Sequence, residues 1–265
     1  MCGKGDFQMY CNINGIELNY EIIGDGDPIL MLNGNGVDLN SSKYCMEPIF
    51  EKVDGWKRIY IDQPGVGLTS SSDKINSGED MLELVISFID KIIPNQKFSL
   101  VGRSLGAYLA MGISIKRKGL IEGMLLICPP INIKKMDIDK DLYDVVNTDK
   151  EVEDRINIRV INEMEMSNKK TDRKFLEKIK NHLSFSFEVD SPEVYCEKPI
   201  LIITGRQDAT VGYRDQFKLL KWFPRATYIA LDKSGHIPQI EQEVIFNILV
   251  KEWLVRVIGE WRLSD

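Results

Sequence analysis

The sequence is poor in the residues from which metal centres and disulfide frameworks are built. Two histidines and five cysteines serve 265 residues. Cys2, Cys11, Cys45, Cys128 and Cys196 are scattered, odd in number and form no C-x-x-C pair. A structural zinc site therefore has little material, and the thiols read as reduced core residues of a cytoplasmic protein. There is no excess of positive charge either. The net charge is −6, which disfavours a general nucleic-acid binder because phosphate binding needs a basic surface. No apolar run approaches the roughly 20 residues of a membrane helix. Residues Met1 to Tyr10 lack the basic-then-apolar order of a secretory signal. No repeat or low-complexity tract stands out.

What the sequence has is 43% hydrophobic residues, enough for a sizeable core, and a regular alternation of segments. Short β-branched runs alternate with longer amphipathic ones, the pattern of a mostly parallel sheet with helices on both faces. Strands are predicted at Phe7–Cys11 and Glu17–Ile23 around an Asn14-Gly15 hairpin turn, and at Pro28–Leu32, Lys57–Ile61, Lys97–Val101, Gly123–Cys128, Pro199–Thr204 and Thr227–Leu231. Ser77 reads as the N-cap of a helix carrying Met81, Leu84, Val85, Phe88, Ile89 and Ile92 on one face, ended by Pro94. Further helices are predicted at Ser104–Lys118, around Asp215–Trp222 and from about Gln242 to Ile258.

Residues 131–195 break the alternation. They are charge-rich and helical in pattern, with helices predicted at Asp141–Val146, Val152–Met164 and Arg173–Leu183. They read as a helical cap inserted into a core made of residues 1–130 and 196–265.

The sharpest chemical signal is Gly102-Arg103-Ser104-Leu105-Gly106 between a strand and a helix. A turn this tight strains the backbone at the serine and tolerates only small residues two positions either side. It lifts the hydroxyl clear of the sheet and sets it beside a helix N-terminus. A serine needs a base, and only two histidines exist. His182 falls on a helical stretch of the cap and reads as a surface residue. His236 follows the strand Thr227–Leu231, at the sheet end where catalytic groups of open α/β sheets gather. Asp208 follows the strand Pro199–Thr204 and is the matching carboxylate, with a turn role as its competitor. Ser104, Asp208 and His236 occur in the chain order used by α/β-hydrolases. The Leu105 N–H, next to the nucleophile, is one expected oxyanion donor, and the loop Asn33-Gly34-Asn35-Gly36 is the expected source of a second.

Together these residues resemble the α/β-hydrolase superfamily, in its capped Ser-Asp-His lineage, over nearly the whole chain. Asn33-Gly34-Asn35-Gly36 resembles the family's His-Gly-x-Gly oxyanion loop, which implies the Asn35 N–H as second donor. Asp62-Gln63-Pro64-Gly65-Val66-Gly67-Leu68-Thr69 resembles the D-x-P-G-x-G-x-S segment near the site. Ser234-Gly235-His236-Ile237-Pro238-Gln239-Ile240-Glu241 is similar to the family's histidine loop. Asn33 stands in place of the usual histidine and Thr69 in place of serine. The resemblance implies an eight-stranded, mostly parallel sheet and a cofactor-free, metal-free serine hydrolase. Its substrate would be a small molecule, a small or medium ester or thioester, and its cap would form the pocket lid, with Leu142, Tyr143, Val146, Ile156, Met164, Met166, Phe175 and Leu183 as candidate apolar lining and packing between cap helices as the competing role. Alternatives are the same triad acting on amide or peptide bonds, on carbon–carbon bonds or in acyl transfer, a non-catalytic ligand-binding protein, and an unrelated α/β fold. Trp222, Phe223, Trp253 and Trp261 read as core residues or, less simply, an interface patch; the sequence leaves the oligomeric state open.

Overall fold

A computed structural model of the chain describes residues 9–132, 137–138, 150–161, 170–183 and 185–262. The chain opens with a hairpin, β1 (Met9–Ile13) and β2 (Ile16–Ile23). Its turn is Asn14-Gly15, both residues at positive φ (53° and 83°), the backbone that matches the twist of a tight hairpin. There follow β3 (Asp27–Leu32), α1 (Leu39–Phe50), β4 (Trp56–Ile61), α2 (Gly78–Ile92), β5 (Phe98–Arg103), α3 (Leu105–Lys116) and β6 (Ile121–Ile127). Helices α4 (Lys150–Val160) and α5 (Arg173–Asn181) lie between β6 and β7 (Ile200–Gly205). Then come β8 (Ala226–Leu231), the short α6 (Pro238–Glu241) and α7 (Glu243–Arg262).

The eight strands form one sheet in the order β1-β2-β4-β3-β5-β6-β7-β8, antiparallel at β1/β2 and β2/β4 and parallel elsewhere. The crossover order puts β5 at the centre, covered on both faces, so every residue from Phe98 to Arg103 is buried rather than every second one. Helices α2 and α3 cover one face with Met81, Val85, Phe88, Leu109 and Ile113, and α1 and α7 cover the other with Met46, Phe50, Phe246, Val250 and Trp253. Phe223 and Trp253 are thus core residues, while the side chain of Trp261 lies outside the described set. Cys11, Cys128 and Cys196 are buried free thiols and Cys45 is half-buried; Cys2 lies outside the described residues.

Most predicted elements appear within one or two residues of their expected bounds, and two differences have physical causes. Helix α1 has no counterpart in the sequence reading: its second to sixth residues are Asn40, Ser41, Ser42, Lys43 and Tyr44, and Pro48 sits in its last turn. It forms because Asp38 caps it, accepting from the Asn40 N–H, and because Asp62 accepts the Leu39 N–H at 2.8 Å. The helix expected around Asp215–Trp222 is present as a 3-10 helix over Asp215–Lys221. The final helix starts one residue later than expected, after Gln242, because Pro238 opens a separate turn. The predicted helix Asp141–Val146 lies outside the described residues, as does the end of Val152–Met164. No helix among the described residues is long and apolar enough to cross a membrane.

Candidate active site

Ser104 stands between β5 and α3 with φ 51° and ψ −119°, a conformation that non-glycine residues rarely occupy and that the surroundings must enforce. Its N–H is held by the Ile127 carbonyl at 2.8 Å, and its own carbonyl accepts from the Ala107 and Tyr108 N–H groups. The small residues of the motif are there for contact. A Cβ on Gly106 would stand 2.2 Å from the Leu32 carbonyl oxygen, so any side chain at that position would push α3 off β3. On the other side, a Cβ on Gly34 would lie 3.1 Å from Arg103 Nη2 and 3.5 Å from the Ser104 Cβ, so the Asn33–Gly36 loop sits directly on the elbow.

That loop is fixed without the usual histidine. Asn33 is buried; its Nδ2 donates to the Ile61 carbonyl at 2.9 Å, its Oδ1 accepts from Ser42 Oγ, and its carbonyl accepts from Gln63 Nε2. The side-chain amide thus bridges β4 and α1. Asp62 braces the same corner: Asn19 Nδ2, the Leu39 N–H and the Leu68 N–H all donate to its carboxylate at 2.8–2.9 Å. Burial holds this carboxyl above its ordinary pKa in spite of the three bonds. Thr69 Oγ1 accepts the Asn19 N–H, so the threonine fills the structural role of the expected serine.

His236 Nδ1 lies 2.8 Å from Asp208 Oδ2, joining the loops after β8 and β7. An ionised carboxylate only accepts, so Nδ1 carries the proton and Nε2 is left as the basic nitrogen. Asp208 is buried, and its other oxygen, Oδ1, accepts the Thr210 and Val211 N–H groups at 2.8 and 3.0 Å. The turn role weighed against catalysis is therefore real and held by the opposite oxygen. Glu241 supports the histidine loop from α6, accepting from the Gly235 N–H at 2.7 Å and from Ser234 Oγ at 3.1 Å. Burial, with Asp208 nearby, raises its carboxyl pKa. The other histidine, His182, is exposed at the end of α5, its Nδ1 against the Lys178 carbonyl, as expected of a surface residue.

Ser104, Leu105 and Asn35 line one apolar cavity of about 170 Å³, closed by Pro130, Ile179, Lys180, Leu183, Thr210 and Val211. Of the cap residues named from sequence, Leu183 reaches this cavity. Phe175 packs instead over Gly65, in the core, and Ile156 is half-buried outside the cavity wall. Leu142, Tyr143, Val146, Met164 and Met166 lie outside the described residues. Sequence reasoning missed Ile179, Lys180 and Val211; a helical pattern identifies a helix face but not what lies above it. Helix α5 is anchored beside the site by the Asp172 N–H to the Gly65 carbonyl (2.8 Å), Thr171 Oγ1 to the Gly36 carbonyl (3.2 Å) and the Gly78 N–H to the His182 carbonyl (3.3 Å).

Among the described residues, one group has metal-ligand spacing: Cys128, Asp208 and His236, with ligand atoms within 4.8 Å of one another. Burial pushes the Cys128 thiol well above its ordinary pKa, with the Asp208 charge adding to the shift, so the thiolate that a metal needs is disfavoured there.

Known proteins share this fold. The chain is 20% identical to a pimeloyl-[acyl-carrier protein] methyl ester esterase of Legionella pneumophila, over 90% of this chain and all of that one. It is 24% identical over 142 residues to a 2-hydroxy-6-oxo-6-(2'-aminophenyl)hexa-2,4-dienoic acid hydrolase of Metapseudomonas resinovorans, spanning about half (48%) of that relative's length. Among solved structures, an α/β-superfamily hydrolase of Oenococcus oeni superposes with a TM-score of 0.79 at 28% identity, covering 91% of this chain and 96% of that one. A thermophilic esterase of Thermogutta terrifontis shares the fold with a TM-score of 0.73 at 18% identity, over 95% and 99% of the two chains. Residues 52–184, half of the chain, match the family described as serine aminopeptidase, S33, so the protein belongs to that family of the α/β-hydrolase superfamily.

Proposed function

We propose that the protein is a serine hydrolase that cleaves a small or medium carboxylic ester or thioester through an acyl-enzyme on Ser104. The observation that carries this reading is the 2.8 Å His236–Asp208 pair, which leaves Nε2 basic, together with Ser104, the one serine at positive φ among the described residues, which opens onto an apolar cavity. Ser104 Oγ attacks the carbonyl as His236 Nε2 takes its proton. The Leu105 and Asn35 N–H groups stabilise the oxyanion, and His236 then protonates the leaving group. Water repeats the cycle on the acyl-enzyme while Asp208 holds the imidazole in place. No cofactor enters the scheme. Residues 131–195 act as a cap that completes the pocket, a role supported by Ile179, Lys180 and Leu183 in the cavity wall.

The ester reading draws on the relatives named as esterases, and the family's aminopeptidase description makes an amide the natural competitor. The test is labelling of the purified protein with a fluorophosphonate, alongside Ser104→Ala and His236→Ala. Labelling of wild type lost in both variants, followed by turnover of esters faster than of matched amides, is the expected result. A folded wild type that neither labels nor turns over any member of the panel refutes the reading. Removing residues 131–195 from a protein that still folds should change substrate preference; unchanged preference refutes the cap role.

A further inference from the structure

Helix α5 is basic in an acidic protein. It carries Arg173, Lys174, Lys178 and Lys180 against Glu177 alone, while the chain as a whole has net charge −6. Its apolar face, Phe175, Leu176 and Ile179, is buried in the core, which fixes where the charged residues stand. Lys178 is accounted for, bonded to Asn76 Oδ1 at 2.6 Å. Lys180 is different. Among the described residues it has no acidic partner, and it is the one charged residue in the wall of the Ser104 cavity, otherwise closed by Leu105, Pro130, Ile179, Leu183 and Val211. Lys180 and Asn35 also form the boundary with an adjoining open groove of about 380 Å³, which holds Arg173, Thr171 and Glu177. Arg173 likewise has no acidic partner among the described residues.

Lys180 is itself exposed, but it stands at the rim of an apolar cavity, and a cleft with low-dielectric walls focuses the field of a charge at its mouth on an anion bound there. The reacting carbonyl would lie against Ser104, Leu105 and Asn35, and among the described residues Lys180 is the charged one that shares this cavity's wall. We infer that the substrate carries a carboxylate, separated from the scissile ester by an apolar spacer, and that Lys180 binds it at the cavity mouth with Arg173 reinforcing the field from the groove. Glu177 in the same groove disfavours polyanions, which points to a single carboxylate rather than a phosphate cluster. This inference rests on the serine-hydrolase reading above; it adds the substrate's charge and the residue that reads it.

The experiment compares three esters: neutral phenyl butyrate, 4-butyryloxybenzoate with the carboxylate on the leaving group, and monophenyl glutarate with it on the acyl chain. Each is assayed with wild type, Lys180→Gln and Lys180→Glu, and the readout is the anionic-to-neutral ratio of kcat/KM within each protein. Lys180→Gln should lower that ratio about fivefold for one of the two anionic esters, mainly through KM, as expected for one partly exposed ion pair. Lys180→Glu should lower it further, and added salt should shrink the wild-type preference. Which ester responds tells whether the carboxylate lies on the acyl or the leaving-group side. Ratios that move with neither substitution overturn the inference while leaving Ser104 labelling and neutral-ester turnover intact. Loss of labelling and of all turnover in folded wild type overturns the catalytic reading and this inference with it.

Discussion

The two oxygens of Asp208 serve different ends, and that separation can be tested by changing one function at a time. Oδ2 meets His236 Nδ1 at 2.8 Å; Oδ1 closes the turn by accepting the Thr210 and Val211 N–H groups. In Asp208→Asn, the side-chain oxygen can remain on the two turn N–H groups and the NH₂ then faces His236. Two donors cannot share a bond, so Nδ1 must become the acceptor and the imidazole proton moves to Nε2, the wrong tautomer for a base. The expected loss in kcat is about 10⁴-fold, the cost of a wrong tautomer in the serine-protease triad. Stability should barely change, because the turn keeps its bonds. Asp208→Ala removes activity as well, but it also strands two N–H groups in a buried turn. At about 1–3 kcal/mol per unsatisfied donor this costs roughly 2–6 kcal/mol, and Tm should drop by about 5 °C or more at this chain length. The assay is kcat on phenyl butyrate or the best ester of the panel, with thermal unfolding of both variants in the same buffer. Asp208→Asn activity within tenfold of wild type would refute the assigned tautomer. Equal Tm for the two variants would refute the turn role of Oδ1.

Three further outcomes follow from the same geometry. Ser104→Gly should abolish labelling and turnover yet raise stability by about 1 kcal/mol over Ser104→Ala, because glycine occupies φ 51° without strain; urea unfolding that ranks the two equally would show that the elbow stores none. Gly106→Ala should destabilise strongly, since its Cβ meets the Leu32 carbonyl at 2.2 Å, and a soluble variant with wild-type Tm would contradict the close approach. Asn33→Ala removes the bonds to Ile61 and Ser42 and should lower Tm and kcat together, whereas an unchanged kcat would mean that the oxyanion loop holds its shape without that amide.

The strand–loop residues were readable from sequence because each lies at the carboxyl end of an apolar run, and a parallel sheet brings those ends to one edge. Ser104 after β5, Asp208 after β7 and His236 after β8 needed no side-chain detail, and β5, β7 and β8 are close in the sheet order. What could not be read was anything decided by contact across the chain. Asp62 and Glu241 belong to motifs whose letters were legible, but the bonds they make, to Leu39 and Leu68 in one case and to Gly235 in the other, depend on the fold. Helix α1 hides behind its polar first half: the caps from Asp38 and Asp62 that start it come from the fold, and its buried Met46, Ile49 and Phe50 crowd into the end that also holds Pro48. Lys180 reads as one of several helix surface charges until α5 is docked over Gly36 and Gly65, at which point it becomes the charged residue of the cavity wall.

Glu241 offers a check on the histidine loop that does not depend on knowing the substrate. Its carboxyl is raised above the ordinary glutamate value of 4.5, chiefly by burial; the Gly235, Ser234 and Ile237 bonds lower it and the Asp208 charge raises it. A group whose folded pKa exceeds its unfolded one binds its proton more tightly when folded. Its contribution to stability is complete below about pH 4.5 and declines as pH rises through the raised folded value. At neutral pH the buried carboxylate is therefore a net burden on the fold, tolerated because it orients the loop that carries His236. Glu241→Gln keeps an acceptor for the Gly235 N–H and removes the titration. The variant should gain stability relative to wild type as pH rises above 4.5, read as a widening difference in unfolding free energy across a pH series. Its kcat should fall, because a neutral amide holds the Gly235 N–H more weakly than a carboxylate does. A difference in unfolding free energy that is constant across the series would mean that Glu241 titrates as an ordinary surface acid, and the argument for a buried anionic brace behind His236 would fail.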